Sequence, residues 1–114
     1  KLFPIMHLIG IRKTLLEREP WLATSVYKAF LEAKNIALEE VRNLTALNVT
    51  LPWVEAEALE TIGLMGADYW RYGVKESAHE IETITRYSHE QGLSSRRLTA
   101  ADIFAPQVMD ISRI

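Results

Sequence analysis

One short apolar run, Leu8-Ile9-Gly10-Ile11, limits most strongly what this chain can fold into. A continuous apolar run of this length is typical of a strand buried on both faces, and we predict a strand over about residues 7–13. The rest of the chain shows a helical pattern, so it supplies no second strand to pair with the first. The sequence therefore predicts a piece of a larger fold, with one N-terminal strand and otherwise mostly α-helix.

The strongest periodic pattern follows Pro20, a residue that suits the first turn of a helix. Apolar residues recur there every three or four positions, which predicts a helix about six turns long with one apolar stripe. We predict helices over about residues 20–43, 52–65, 75–91 and 99–104, on the basis of periodicity and of start and stop residues. The stripe consists of Leu22, Val26, Phe30, Ala33, Ala37, Val41 and Leu44.

The start of the last helix has a clear signature. Thr99 and Asp102 are spaced as in a capping box, and Leu98 and Ile103 are spaced as in a hydrophobic staple. Arg96 and Arg97, just before this motif, are expected to be ordinary surface residues.

Composition excludes several classes of function. The chain of 114 residues has no cysteine, which rules out disulfides and thiolate sites, and its formal charge of −2 gives no reason to expect a nucleic-acid partner. Its apolar runs are far shorter than the roughly 18 residues that a membrane span needs. We expect a cytoplasmic protein, or a periplasmic one if a signal peptide precedes the chain.

His7 is the first candidate for chemistry, because it stands at the entry to the predicted strand and imidazole changes charge near neutral pH. The alternative is a structural histidine that hydrogen-bonds to neighbouring backbone. His79 and His89 are ten residues apart, a rotation of about 280° along the predicted third helix, and we expect no joint metal site between them. Thr83 stands where an HExxH motif would need its second histidine, and we expect no metal and no cofactor.

Aromatic residues form the second candidate site. Trp53, Trp70 and Tyr72 fall in predicted loops and at a helix start, where they could line a concave site and stack on a planar ligand. They could equally fill the joint between two helices. Arg12 and Arg71 could bind a carboxylate through a bidentate fork, although a lone arginine is more often a surface residue.

Four segments resemble one known family. The segments FPIMH, LPW, YW-x-YG and RYSHEQGL occur in this order along the chain. Together they resemble the C-terminal part of 4,5-dihydroxyphthalate decarboxylase-like proteins, which are similar to type II periplasmic solute-binding proteins, including the thiamine-pyrimidine precursor group. Arg71 departs from the pattern, since a proline is expected at its place in the YW-x-YG loop.

The resemblance implies an α/β fold with two lobes and a ligand cleft between them, of which this chain would be about the last third. It implies loss of one carboxylate from 4,5-dihydroxyphthalate to give protocatechuate. His7 would then suit the role of general acid, and Trp53, Trp70 and Tyr72 the role of ligand contacts. The alternative is a solute-binding protein that captures a small aromatic or pyrimidine ligand for an importer. We also expect the isolated chain to be inactive and to associate with itself through exposed apolar faces.

Overall fold

Helices account for all the regular secondary structure in the part of the chain that the structure describes. The computed structural model describes residues 2–43, 45 and 49–111. Residue 44, at the end of the predicted stripe, lies outside these ranges. The elements are α1 (Lys13–Arg18), α2 (Leu22–Arg42), α3 (Val54–Met65), α4 (Ala78–Glu90), α5 (Ala100–Ile103) and a 3-10 turn (Pro106–Val108).

The predicted α/β fold with a strand at residues 7–13 is wrong. Residues 2–12 are irregular, α1 begins at Lys13, and none of the described residues forms a strand. A strand must share its backbone hydrogen bonds with another strand. The described residues contain no second strand that could pair with residues 7–13. Burial was also mispredicted, since Leu8 and Ile9 are each 59% exposed.

The chain divides into two compact units. The first consists of the described residues up to Tyr27 together with those from Tyr72 onward, and the second is Lys28–Arg71. Helix α2 runs from the first unit into the second, because it covers Leu22–Arg42 without a break.

The first unit holds the few buried apolar side chains of the described residues, which are Ala23, Val74 and Ile81. Ile81 lies on α4, and it is only 4% exposed. The Tyr27 hydroxyl donates a hydrogen bond to the Tyr72 carbonyl over 3.5 Å, which ties α2 to the loop that leads to α4. This small core is what positions α4 in the first unit.

The second unit is held together by polar contacts as well as by apolar ones. Lys34 on α2 pairs with Asp68 in the loop after α3, and Arg42 donates a hydrogen bond to the Ala67 carbonyl over 2.8 Å. Helix α3 turns one face inward at intervals of four, four and three residues. That half-buried face consists of Val54, Ala58, Ile62 and Met65.

The apolar stripe of α2 does not coincide with its packed face. Phe30, Ala33 and Ala37 belong to the stripe and are exposed, whereas Lys34 is buried. The helix carries enough apolar residues for more than one face, and the sequence pattern does not say which of them is covered. Periodicity thus predicts the helix but misplaces the face that packs.

Candidate functional site

An open groove of about 320 Å³ lies in the first unit. Its lining comes from the irregular segment 5–8, from Ile81 and Ile84 on α4, and from Ile103 and Phe104 at the end of α5. Ile81 and Ile84 are three residues apart and therefore lie on the same side of α4. The volume is at the lower end of the range for small-molecule sites, about 300–1,000 Å³.

His7 is the one polar side chain in the lining of this groove. The His7 side chain is exposed. A structural histidine would hydrogen-bond to neighbouring backbone, and among the described residues His7 has no such partner. Its imidazole is therefore accessible to a small molecule that enters the groove. An apolar wall with one proton-transferring group suits contact with an aromatic ring and transfer of a proton to or from it.

Helix α5 has only four residues, and several hydrogen bonds meet at its Asp102. The Asp102 Oδ2 atom accepts hydrogen bonds from the Thr99 backbone N–H over 2.8 Å and from the Thr99 hydroxyl over 2.7 Å. The bond from the Thr99 backbone N–H is one half of the capping box that the spacing of Thr99 and Asp102 predicts. In the other half the Thr99 side chain accepts the Asp102 backbone N–H, and the box is confirmed. Ile103 and Phe104 follow directly and reach the groove.

A guanidinium completes this arrangement. Arg96 Nη2 lies 2.7 Å from Asp102 Oδ1. The hydrogen bond from Arg96, followed by those from Thr99, holds the pKa of Asp102 well below its usual range. The same pairing raises the pKa of Arg96. Arg96 is exposed, as the sequence predicts, and it also pairs with Asp102.

None of the three predicted aromatic ligand contacts is among the residues that line the groove. Trp53 and Trp70 belong to the second unit, and Trp53 is 74% exposed at the start of α3. Tyr72 belongs to the first unit, as does His7, and is half-buried. The groove brings none of the three together with His7, and their role as ligand contacts stays a prediction.

Arg12 and Arg71, the two arginines that could bind a carboxylate, are both exposed. The Arg12 carbonyl accepts the N–H groups of Leu15 and Leu16 at the start of α1. Among the acids of α4, Glu82 is exposed, whereas Glu80 is only 5% exposed.

The described residues include neither a cluster of metal ligands nor a membrane-spanning helix. No three of their histidine and carboxylate side chains lie close enough together to hold a metal ion. None of their helices is both long enough and apolar enough to cross a membrane.

The wall of the groove is what sequence reasoning missed. Ile84 is 52% exposed and borders the groove together with the buried Ile81. Part of this wall could have been predicted from the sequence. Residues 5–8 of the apolar N-terminal run border the groove, and α4 carries isoleucines at helical spacing.

Comparison with known proteins gives a clear relationship. The chain is similar along its whole length to a decarboxylase. That relative is the 4,5-dihydroxyphthalate decarboxylase of Comamonas testosteroni, to which the chain is 44% identical over 114 residues. The chain spans only 34% of the relative's length. No protein-family profile matches it. The predicted resemblance to 4,5-dihydroxyphthalate decarboxylase is confirmed by this relative.

Proposed function

We propose that a full-length protein carrying this chain is a decarboxylase that removes one carboxylate from 4,5-dihydroxyphthalate or a similar aromatic dicarboxylate. One observation carries the proposal: across its full 114 residues the chain is 44% identical to a 4,5-dihydroxyphthalate decarboxylase. The apolar groove with His7 in its lining supports it, because the groove offers a surface for a ring and a group that transfers protons.

The reaction exchanges a carbon–carbon bond for a carbon–hydrogen bond. A proton adds to the ring carbon that bears the leaving carboxylate, and the hydroxyl in the para position supplies electrons to the ring at that stage. The bond to the carboxylate then breaks, its electron pair restores the aromatic ring, and carbon dioxide leaves. The products are carbon dioxide and 3,4-dihydroxybenzoate (protocatechuate), with no change of oxidation state that would need an external oxidant or reductant.

His7 is the residue of this chain that we assign to the proton transfer. As an imidazolium it would donate its N–H proton to the ring carbon, and it would regain a proton from water after the product leaves. Residues 5, 6 and 8 beside it and Ile84 in the same lining are apolar, so the ring can rest against them.

The carboxylate that stays on the ring needs a different partner. Apart from His7, the lining of the groove carries no group that can be positively charged. We therefore assign recognition of the second carboxylate to residues of the full-length protein that lie outside this groove. Trp53, Trp70 and Tyr72 remain our proposed aromatic contacts for the ligand.

The test uses purified full-length protein and 4,5-dihydroxyphthalate. We expect carbon dioxide and 3,4-dihydroxybenzoate to appear in equal amounts, measured by gas analysis and by chromatography. Phthalate is the matched control, because without the hydroxyl groups its ring resists protonation and should not react. Tight binding of 4,5-dihydroxyphthalate without turnover would contradict the proposal and would favour a ligand-binding protein.

A further inference from the structure

The wall of the groove formed by Ile103 and Phe104 depends on very little structure of its own. Helix α5 covers only Ala100–Ile103, and isolated helices of this length are unstable because nucleation is unfavourable. Helix α5 contacts α4, and the capping box at Thr99 closes its first turn. Its position must therefore be set by contacts that reach it from outside.

The Asp102 side chain is where such contacts meet. One carboxylate oxygen accepts two hydrogen bonds from Thr99, and the other accepts a bond of 2.7 Å from Arg96. The Thr99 bonds are local to the helix start. The Arg96 bond joins α5 to the loop that follows α4, six residues back along the chain. Asp102 directly precedes Ile103, so restraint of its carboxylate also restrains the groove wall.

We propose that Arg96 is a positioning residue for the groove, which through Asp102 holds α5 so that Ile103 and Phe104 face the same space as His7. The inference rests on the proposed function for its catalytic consequence, while its structural part stands on the geometry alone. Arg96 itself does not line the groove, so it acts through Asp102 and touches no ligand there.

Arg97 supplies a matched comparison. Its Nη2 atom lies 2.9 Å from Glu82 Oε1, so it ties the same loop to α4 through an exposed ion pair of similar length. Neither Arg97 nor Glu82 lines the groove or contacts Asp102 in the described hydrogen bonds. Loss of Arg97 removes an arginine and an ion pair from the same loop but leaves the restraint on α5 intact.

The experiment compares Arg96→Gln, Arg97→Gln and Arg96→Lys in the full-length protein. We expect Arg96→Gln to raise KM for 4,5-dihydroxyphthalate roughly two- to fivefold, the range that an exposed ion pair can support. The turnover number should stay nearly constant, because His7 is untouched. Arg97→Gln should leave KM unchanged, and Arg96→Lys should recover part of the loss because it restores the charge opposite Asp102.

A structural measurement separates this inference from the proposed function. Methyl NMR of isoleucine-labelled protein should show the Ile103 and Ile84 signals shifted in Arg96→Gln and unshifted in Arg97→Gln, with Ile62 of the second unit constant in both. These shifts support the positioning role of Arg96 whether or not the wild-type protein turns over 4,5-dihydroxyphthalate. A lack of turnover would contradict the proposed function but not the positioning role. Unshifted Ile103 signals in Arg96→Gln, or equal shifts in both glutamine variants, would overturn the inference. If Arg96→Gln does not fold, Arg96→Lys takes its place, and its Ile103 and Ile84 signals are judged by the same two criteria.

Discussion

Lys34 Nζ lies 2.8 Å from Asp68 Oδ1, and this ion pair joins α2 to the loop after α3 inside the second unit. The Lys34 side chain is 6% exposed and that of Asp68 22%. A lysine is almost never buried unless its charge is paired, so the second unit depends on this contact for its integrity.

Replacement of Lys34 by methionine should therefore destabilise the protein strongly. The variant keeps most of the side-chain volume but leaves the Asp68 carboxylate without this partner, and loss of one member of a buried pair costs about 3 kcal/mol. Urea unfolding followed by circular dichroism measures the change. Lys13→Met is the control, because Lys13 pairs with Glu17 at 4.0 Å on the surface and should change the free energy of unfolding by less than about 0.5 kcal/mol. Equal effects of the two variants would contradict the assignment.

Gly73 is the position where a side chain should be tolerated least. Its φ is 119°, a conformation that favours glycine, and the Glu76 carboxylate lies over the place where a Cβ atom would stand. The Tyr27 hydroxyl is 3.3 Å from that place. Gly73→Ala should lower the free energy of unfolding by about 1–3 kcal/mol, through backbone strain and displacement of Glu76.

Two further variants separate strain from crowding at Gly73. Gly66 also has a positive φ, of 92°, but nothing lies within 4 Å of its Cβ position, so Gly66→Ala reports strain alone. The double variant Gly73→Ala with Glu76→Ala should recover the part that is due to crowding. If Gly66→Ala is as harmful as Gly73→Ala, the contact with Glu76 contributes nothing.

His7→Gln and His7→Ala should both lower the turnover number of the full-length protein by about 10² or more, since neither side chain can donate a labile proton as imidazolium does. Glutamine retains polarity and approximate size, so it controls for loss of packing. His79→Ala is the matched histidine control, because His79 is exposed on α4 and does not line the groove. Kinetic constants that remain at the wild-type level in His7→Gln would return His7 to a structural role.

Asp102 should keep its charge in acid. Its folded-state pKa is held below the ordinary value, first by Arg96 and then by Thr99, so the ionised form stabilises the folded state. This contribution is fully present above the ordinary aspartate pKa, near 3.9, and is lost only as the pH falls through the lower folded-state value. Carbon-detected NMR should show the Asp102 carboxyl still ionised at about pH 3, where an unperturbed aspartate is mostly protonated. In Arg96→Gln the midpoint should move upward, and an unmoved midpoint would remove Arg96 as the cause.

The sequence predicts local features of this chain better than it predicts how they pack. The spacing of apolar residues after Pro20 predicts a long helix, and the structure has α2 at Leu22–Arg42. Thr99 and Asp102 predict the capping box because its hydrogen bonds join residues three apart, and such contacts depend on nothing distant. The helix α1 at Lys13–Arg18 was missed, since its six residues are too few for a periodic pattern.

The failures share a physical cause, which is that burial depends on distant contacts. The run from Leu8 to Ile11 is equally compatible with a buried strand and with an irregular segment beside apolar side chains, and only its neighbours decide. Lys34 is buried because Asp68, far along the chain, neutralises it. For the candidate site, His7 could be chosen from its residue type, but the wall at Ile103 and Phe104 required the folded arrangement.

Exposed apolar residues on α3 should make the isolated chain of 114 residues associate with itself. Leu59 and Leu64 are each 61% exposed, and contact with a second copy would remove these apolar side chains from water. Sedimentation velocity should show a sedimentation coefficient that rises with protein concentration. Leu59→Lys and Leu64→Lys should each weaken the association, because a charge opposes burial of the surface. Glu60→Gln, an exposed change on the same helix with the same shift in net charge, should leave it unchanged. A chain that stays monomeric at every concentration would contradict the prediction, and an equal effect of Glu60→Gln would attribute the association to net charge instead of apolar contact.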